Sequence, residues 1–315
     1  MLLGILDACP VNHALPARES LLLTVSLVER AEALGYSRYW IAEHHGPDVA
    51  HSAPEVLLPV LAGVSDRIRV GVAGVLLRNH NPLRVAQAFR LVEALYPGRI
   101  DLGVGAGHAP PAMAAALGAL PRDAPDAGSD YEDRLERLVG HMSGRSPFPV
   151  PPALVRAPQL WLLGSSGPRA ARLAARHGTC LSYSMFIGSG PCDPGLFSQY
   201  RGWFREAWPD REPICSVAIA GICAASDEEA TSLLAARPPN GIKPSVVGDP
   251  VKVRSALRSI LEAFNPDELV FMDLAESPEH RLRTLELLAE AADFARPHPR
   301  AAKPGQLATL QGEAS

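Results

Sequence analysis

The feature that most constrains this chain is a repeated alternation of short β-rich runs with longer stretches of helical spacing. Residues 2–6 read as a first strand. Residues 18–34 follow, with Leu21, Val25 and Val28 on one face, Leu27, Ala31 and Leu34 beside it, and Gly35 as the stop. Further strands are expected at 38–42, 68–76, 99–104, 159–163, 179–183, 214–221 and 268–272, with helices between them. The apolar run at 68–76 fits a strand covered on both faces. Asn81 with Pro82, Asp249 with Pro250, and Ser277 with Pro278 mark helix starts. In each pair the polar side chain can accept a bond from a first-turn N–H, and proline takes a position whose N–H needs no partner. Ser129 with Glu132 and Ser226 with Glu229 have capping-box spacing.

Eight strands, each followed by a helix, is the count of a (β/α)8 TIM barrel of the α/β class. An open doubly wound sheet would want glycines in its first βα turn, which here is Asp7-Ala8-Cys9-Pro10. The nearest imitation, Gly103-Val104-Gly105-Ala106-Gly107-His108, has histidine where GxGxxG needs its third glycine. The stretch after strand four is an irregular insertion rich in Ala, Pro and Gly, with one clear helix at 131–142. No repeat or domain boundary is visible, so 1–296 reads as a single domain and 297–315 as a flexible tail.

Apolar residues make up 47% of the chain and charged residues 20%, enough to bury a core and to exclude a disordered protein. Lys plus Arg number 30 against 34 Asp plus Glu, so no basic excess is left for nucleic acid. No apolar stretch reaches the ~18 residues of a membrane span. The start, MLLGILDACPVNH, has no basic flank and reads as a strand rather than a signal peptide. Cys9, Cys180, Cys192, Cys215 and Cys223 have no CxxC spacing and are odd in number. That argues against a zinc site or disulfide frame and for a reducing, cytoplasmic setting.

A (β/α)8 barrel places its chemistry at the C-terminal ends of the strands. Asp7, Glu43-His44-His45, Arg78-Asn79-His80, Gly105-Ala106-Gly107-His108, Gly164-Ser165-Ser166-Gly167, Tyr183-Ser184 and Asp273 all fall there. They read as the lining of one mouth. Backbone N–H groups and two hydroxyls at the helix start after Gly164 suit a phosphate, and an ordinary serine cap fits equally. Side-chain alternation points one of His44 and His45 into the mouth and the other away. The inward one is either an acid–base group or a hydrogen-bonded strand-end histidine, and Glu43 can orient it. Strand one offers no HxH, so a barrel metal site lacks ligands. Gly164-Ser165-Ser166-Gly167 is not a GxSxG nucleophile elbow.

The runs WIAEHH (40–45), RVGVAGVLLRNHN (69–81), PGRIDLGVG (97–105), PQLWLLGSS (158–166) and VGDP (247–250), in this order, strongly resemble the bacterial luciferase-like flavin-dependent monooxygenases. The resemblance spans about residues 1–294 and is weakest at 109–150 and 184–245. It implies a TIM barrel, often a homodimer, that binds reduced FMN from a separate flavin reductase at the C-terminal mouth. With O2 as co-substrate, it implies flavin-peroxide chemistry that oxidises a small organic substrate. His44 matches the histidine that assists flavin oxygenation. Ala73, Gly74 and Val75 match the strand beneath the flavin ring, with a non-proline cis peptide expected at Gly74–Val75. Asn79 and His80 match the rim of the flavin site. Gly105, Ala106, Gly107, Gly164, Ser165, Ser166 and Gly167 match the phosphate side. Ala106 stands where the family usually carries a phosphate-binding arginine, and Arg169 is a possible substitute. That departure keeps two alternatives open: a deazaflavin-dependent dehydrogenase or reductase, and a non-catalytic flavoprotein or partner subunit. Cys9, His13, Tyr183, Met185 and Phe186 are the expected substrate wall.

Overall fold

A computed structural model describes residues 1–11, 15–107, 109–120, 126–153, 156–187, 192–237 and 241–293. The proposed tail 297–315, His13 and His108 lie outside the described residues. Nine parallel strands form one sheet: β1 (Leu3–Asp7), β2 (Arg38–Ile41), β3 (Arg69–Leu76), β4 (Ile100–Gly105), β5 (Gln159–Gly164), β6 (Cys180–Ser184), β7 (Cys215–Cys223), β8 (Val246–Gly248) and β9 (Glu268–Asp273). β1 pairs with both β2 and β9, and β7 with both β6 and β9, so eight of the strands close into a (β/α)8 barrel. The ninth, β8, was not anticipated. It pairs with Gly221–Cys223 and continues the edge of β7 above the point where β6 stops at Ser184.

Ten helices are described: α1 (Ala17–Leu34), α2 (Pro54–Gly63), α3 (Pro82–Leu95), α4 (Pro111–Ala116), α5 (Ala127–Met142), α6 (Arg169–His177), α7 (Gly195–Ala207), α8 (Asp227–Ala235), α9 (Pro250–Phe264) and α10 (Pro278–Ala292). α4 and α5 lie in the insertion after β4. Asn81, Asp249 and Ser277 cap their helices as their spacing predicts, accepting from the N–H groups of Leu83, Lys252 and His280. Ser226 accepts from Glu229 N–H at 3.2 Å, and Glu229 returns a bond to Ala225 N–H at 2.9 Å. The Ser129–Glu132 box does not form. α5 begins before Ser129, whose hydroxyl instead donates to the Asp126 carbonyl at 3.0 Å. Among the described residues no helix is long and apolar enough to cross a membrane.

Strand alternation divides the core in two. Ile5, Tyr39, Ile41, Val72, Leu269 and Phe271 face the helices. Leu6, Trp40, Ala42, Trp161, Ala220 and Met272 fill the barrel interior. The N-terminal end of that interior is closed by charge. Arg38 Nε and Arg69 Nε donate to Asp101 Oδ2 at 2.8 and 2.9 Å, and Arg69 Nη2 donates to Oδ1 at 2.7 Å. Trp161 Nε1 adds a bond to Oδ1 at 3.2 Å, and Arg38 also pairs with Glu268. The Arg38 guanidinium lies 4.8 Å from the Trp161 ring centroid, within cation–π range. Trp40 meets Trp161 edge to face at 5.7 Å. This arrangement requires Gly71, where a Cβ would stand 2.5 Å from the Trp40 ring.

Asp101 has no solvent exposure, so removing its carboxylate takes away the ion-pair partner of Arg69 and leaves Arg38 with Glu268 alone. Asp101→Ala should cost about 3–5 kcal/mol of folding stability. Equilibrium urea unfolding measures this, and a loss under about 1 kcal/mol would show that the plug is not the keystone of the barrel floor.

Candidate active site

Trp40 and Ala42 belong to the interior cluster, and His44, two residues on, is exposed just past the end of β2. Glu43 and His45 meet each other, with His45 Nε2 2.7 Å from Glu43 Oε1. His44 is solvent-accessible, yet the protein around it partly desolvates the ring and lowers its pKa, against the pull of Asp48 and Glu43. A neutral imidazole at physiological pH follows, able to accept or donate a proton.

Glu43 is 2% exposed and is the hub of the rim. His80 Nε2 lies 2.9 Å from both of its oxygens, and Leu76 N–H donates to Oε2 at 2.9 Å. The His80 ring therefore faces Glu43. Between Leu76 and His80 runs a 3-10 turn, Leu77–Asn79. Asn79 is 6% exposed, and both ends of its amide are enclosed without a hydrogen-bond partner. A buried polar group in that state costs free energy until something bonds to it.

On β3, Ala73 packs against the interior cluster, whereas Val75 is buried among the helix-facing residues. Gly74 abuts Gly103, since a Cβ there would meet the Gly103 carbonyl oxygen at 2.9 Å. The non-proline cis peptide is Ala73–Gly74, one residue before the expected Gly74–Val75. β3 shifts register between Val72 and Val75, and the irregular bond falls within that shift.

β4 and β5 are neighbours, with Val104 beside Leu162, so the turns after Gly105 and Gly164 open at the same end. Ala106 and Gly107 are exposed. Gly167 adopts φ 61°, a left-handed conformation that glycine takes without strain. Ser165 is half-buried and Ser166 exposed. Neither caps α6, whose N-cap, Pro168, makes no side-chain bond. The first N–H groups of α6 thus point out beside two hydroxyls, with the positive end of the helix dipole behind them. Arg169 pairs with Glu132 of α5 at 2.8 Å, and its charge is shared with that carboxylate. Arg78, 5% exposed, lies with its guanidinium 5.9 Å from the Tyr131 ring centroid.

The expected substrate wall divides. Phe186 is 4% exposed and joins the interior cluster, and Met185 is half-buried against the outer core. Cys9 has no exposure. Its Sγ accepts from Thr24 Oγ1 at 3.4 Å on the helix side of β1, away from the mouth. Tyr183 also faces outward, edge to face with Phe197 of α7, and lies beneath Gly164. Asp7 is likewise turned to the helices, accepting from Cys9 N–H, Thr24, Tyr39 and Arg281 at 2.6–2.7 Å. In each case the residue sits at an outward position of its strand. Two further groups stand out: Ser184, which the sequence already places at the rim, and His51, which it does not single out. The Ser184 hydroxyl ends β6, enclosed and without a partner. His51, in the β2–α2 loop, has both ring nitrogens enclosed without a partner and feels the charges of Asp7, His44 and Glu43. The hydrogen bond from Ala50 N–H to Cys9 carbonyl, at 2.9 Å, pins that loop against the end of β1. No spacing rule links His51 to His44.

These residues fit a flavin. Asn79 offers an unsatisfied amide, Gly74 and Gly103 a close-packed floor without side chains, and the Ser165–Gly167 turn a phosphate-sized set of donors.

The sequence profile of the luciferase-like monooxygenases matches residues 3–267. Uncharacterized protein YwcH of Bacillus subtilis (strain 168) is 33% identical, covering 92% of this chain and 98% of its own. N-acetyl-S-alkylcysteine monooxygenase of the same organism is 34% identical, covering 83% of this chain and 78% of its own. Among solved structures, apo-MsnO8 superposes with TM-score 0.82 at 32% identity, covering 94% of this chain and 98% of its own. Two more distant structures share the fold. One is the oxygenating constituent of 3,6-diketocamphane monooxygenase from Pseudomonas putida in complex with FMN, with TM-score 0.70, 18% identity and coverages of 94% and 99%. The other is an F420-dependent secondary alcohol dehydrogenase in complex with an F420-acetone adduct, with TM-score 0.67, 16% identity and coverages of 92% and 98%.

Asp273, at the end of β9, provides a pH test of the scaffold behind the site. Its Oδ2 is enclosed without a partner, and burial raises its pKa to about 7 despite the Ala275 N–H and Arg281. The folded state then holds this proton more tightly than the unfolded chain, so stability falls as pH rises from about 4 to about 7. Asp273→Asn lacks that loss. Its melting temperature relative to the natural protein should climb between about pH 5 and pH 8. A constant difference over that range would exclude Asp273 as the titrating group.

Proposed function

Because the chain belongs to the luciferase-like monooxygenase family and is a flavin-dependent oxidoreductase, we propose that it is an FMN-dependent monooxygenase that oxidises a small organic molecule with O2. Reduced FMN would come from a separate reductase. The observation that supports this reading is that His44, the partnerless Asn79 amide and the Ser165–Gly167 turn all follow the C-terminal ends of strands of one closed parallel barrel. The name of the 34%-identical relative supports a small organic substrate.

The chemistry that a bound reduced flavin supplies is two-electron activation of O2. The protein's share is placement. The hydroxyls of Ser165 and Ser166 and the first N–H groups of α6 would hold the phosphate. The Asn79 amide would satisfy a polar edge of the ring system. His44, neutral because of its surroundings, would hold or move a proton at a ring nitrogen beside the reacting atoms. Phe186, Ala220, Met272 and Leu274 line the interior with apolar surface that excludes water.

A second reading, hydride transfer with a deazaflavin, is favoured by Ala106, which offers no guanidinium to an FMN phosphate, and by the F420-dependent neighbour. Two accessory features belong to the proposal. Val56 and Val60 of α2 and Leu91 and Leu95 of α3 are 49–66% exposed, an apolar face suited to a homodimer. All five cysteines are free, in keeping with a reducing compartment such as the cytoplasm.

Titrating the protein with oxidised and reduced FMN, and with a deazaflavin, separates the two readings. Binding of FMN with oxygen-dependent turnover supports the first, and binding of the deazaflavin alone selects the second. His44→Ala should lower turnover by about 10²–10⁴-fold and leave FMN affinity within about two-fold. Unchanged turnover would remove His44 from the chemistry.

A further inference from the structure

A hydrogen-bonded network joins the ends of β2 and β3 through two residues, Glu43 and His80. The Glu43 carboxylate leaves the end of β2 and reaches the end of β3. It accepts from Leu76 N–H at 2.9 Å and from the His80 ring at 2.9 Å. His80 N–H donates to the Leu77 carbonyl at 3.2 Å and closes the 3-10 turn. The His80 carbonyl accepts from Arg134 Nη1 of α5 at 2.9 Å, and Arg134 Nε is held by Asp130 at 3.0 Å. Asn79 therefore sits between two anchored points. Its own amide makes no bond that could fix it. His44, next in sequence to Glu43, shares the same anchor on the β2 side.

Resting on the FMN reading above, we propose that the Glu43–His80 ion pair is a positioning device. With His80 protonated it locks Asn79 and His44 into one mutual placement and so sets the affinity of the site for flavin. His80 is then a positioning residue rather than a flavin ligand, because its Nε2 is committed to Glu43. Arg134 extends the device to the insertion helix.

The electrostatics agree with the geometry. Burial lowers the His80 pKa, but the bond to Glu43 and the charges of Glu43 on β2 and Glu55 on α2 outweigh it, with Arg134 of α5 opposing, so the net shift is upward. Burial raises Glu43, and the His80 bond and charge, Leu76 N–H and His45 outweigh it, so its net shift is downward. His80 then contributes stability that is complete below its ordinary value of 6.5 and is lost as pH rises through its higher folded value. The Glu43 contribution is present above 4.5 and is lost only as pH falls through its lower folded value. The clamp is tightest between those two ordinary values and loosens toward alkaline pH.

The test measures the Kd for oxidised FMN by fluorescence quenching between about pH 5.5 and 8.5, alongside thermal unfolding of the flavin-free protein. The natural protein should lose affinity several-fold across that range. His80→Gln keeps a donor and cannot titrate, so its affinity should be weaker and should change less with pH than that of the natural protein. His80→Ala should bind about ten-fold more weakly at the acid end. A His80→Gln variant that keeps the natural pH slope, or a His80→Ala variant with unchanged Kd, overturns the proposal. If His80→Ala does not fold, His80→Gln carries the test. If the natural protein binds no FMN at any pH, the FMN reading fails by itself. The clamp is then judged by unfolding alone: the melting temperature must fall with rising pH more steeply in the natural protein than in His80→Gln, since Asp273 titrates in both, and equal slopes overturn it.

Discussion

Closing eight parallel strands into a ring forces every second side chain into a confined interior, and everything else in this molecule follows from how that interior is filled. At the N-terminal end the filling is Arg38, Asp101, Glu268 and the edges of Trp40 and Trp161. Charges so deeply buried are tolerable only because each is neutralised and hydrogen-bonded. The Trp40 indole and the Asp101 side chain leave no room at Gly71 for even a methyl group. The N-terminal end of the barrel is consequently closed, whereas the interior cluster also holds the small side chains Ala42, Ala73, Ala218 and Ala220.

The same alternation sorts the polar residues at the top. His44 and Ser184 follow strands whose interior positions include Trp40 and Cys180. Side chains in the outward phase become scaffold. Asp7 collects four donors from β1, β2, α1 and α10, and Glu43 collects His45, His80 and Leu76. Each outward carboxylate stitches the end of one strand to the neighbouring segment. A mouth built this way has rigid walls, and rigidity lets a few donors hold a cofactor in a reactive orientation.

Much of this was legible in the sequence. The strand–helix alternation is a local pattern, and so are the caps at Asn81, Asp249 and Ser277. What failed was information that only closure supplies. Cys9, Tyr183 and Asp7 lie at the correct end of their strands, but the phase that turns them outward is fixed by which neighbours fill the barrel. The cis peptide fell one residue early because β3 shifts register there, a change with no signal in composition. Ser129 had the spacing of a cap, yet the helix began before it, since helix starts are also decided by packing. β8 is too short for a periodic signature and exists because β7 outruns β6. His51 belongs to a loop, and its meeting with His44 is purely tertiary.

The phosphate end is the part of the site with the least charge of its own. Ala106 brings none, and the guanidinium of Arg169 is shared with Glu132. What remains is hydroxyls, backbone N–H groups and the dipole of a nine-residue helix, each worth less than a charge-assisted bond. A cradle of this kind holds an anion by many modest contacts and releases it without breaking a strong ion pair. Under the proposal that FMN arrives reduced from a separate reductase and leaves again to be reduced, weak phosphate binding is compatible with rapid exchange. The placement that chemistry demands then has to come from the other end of the cofactor site, where Asn79 and His44 are held on a rim stitched together by Glu43.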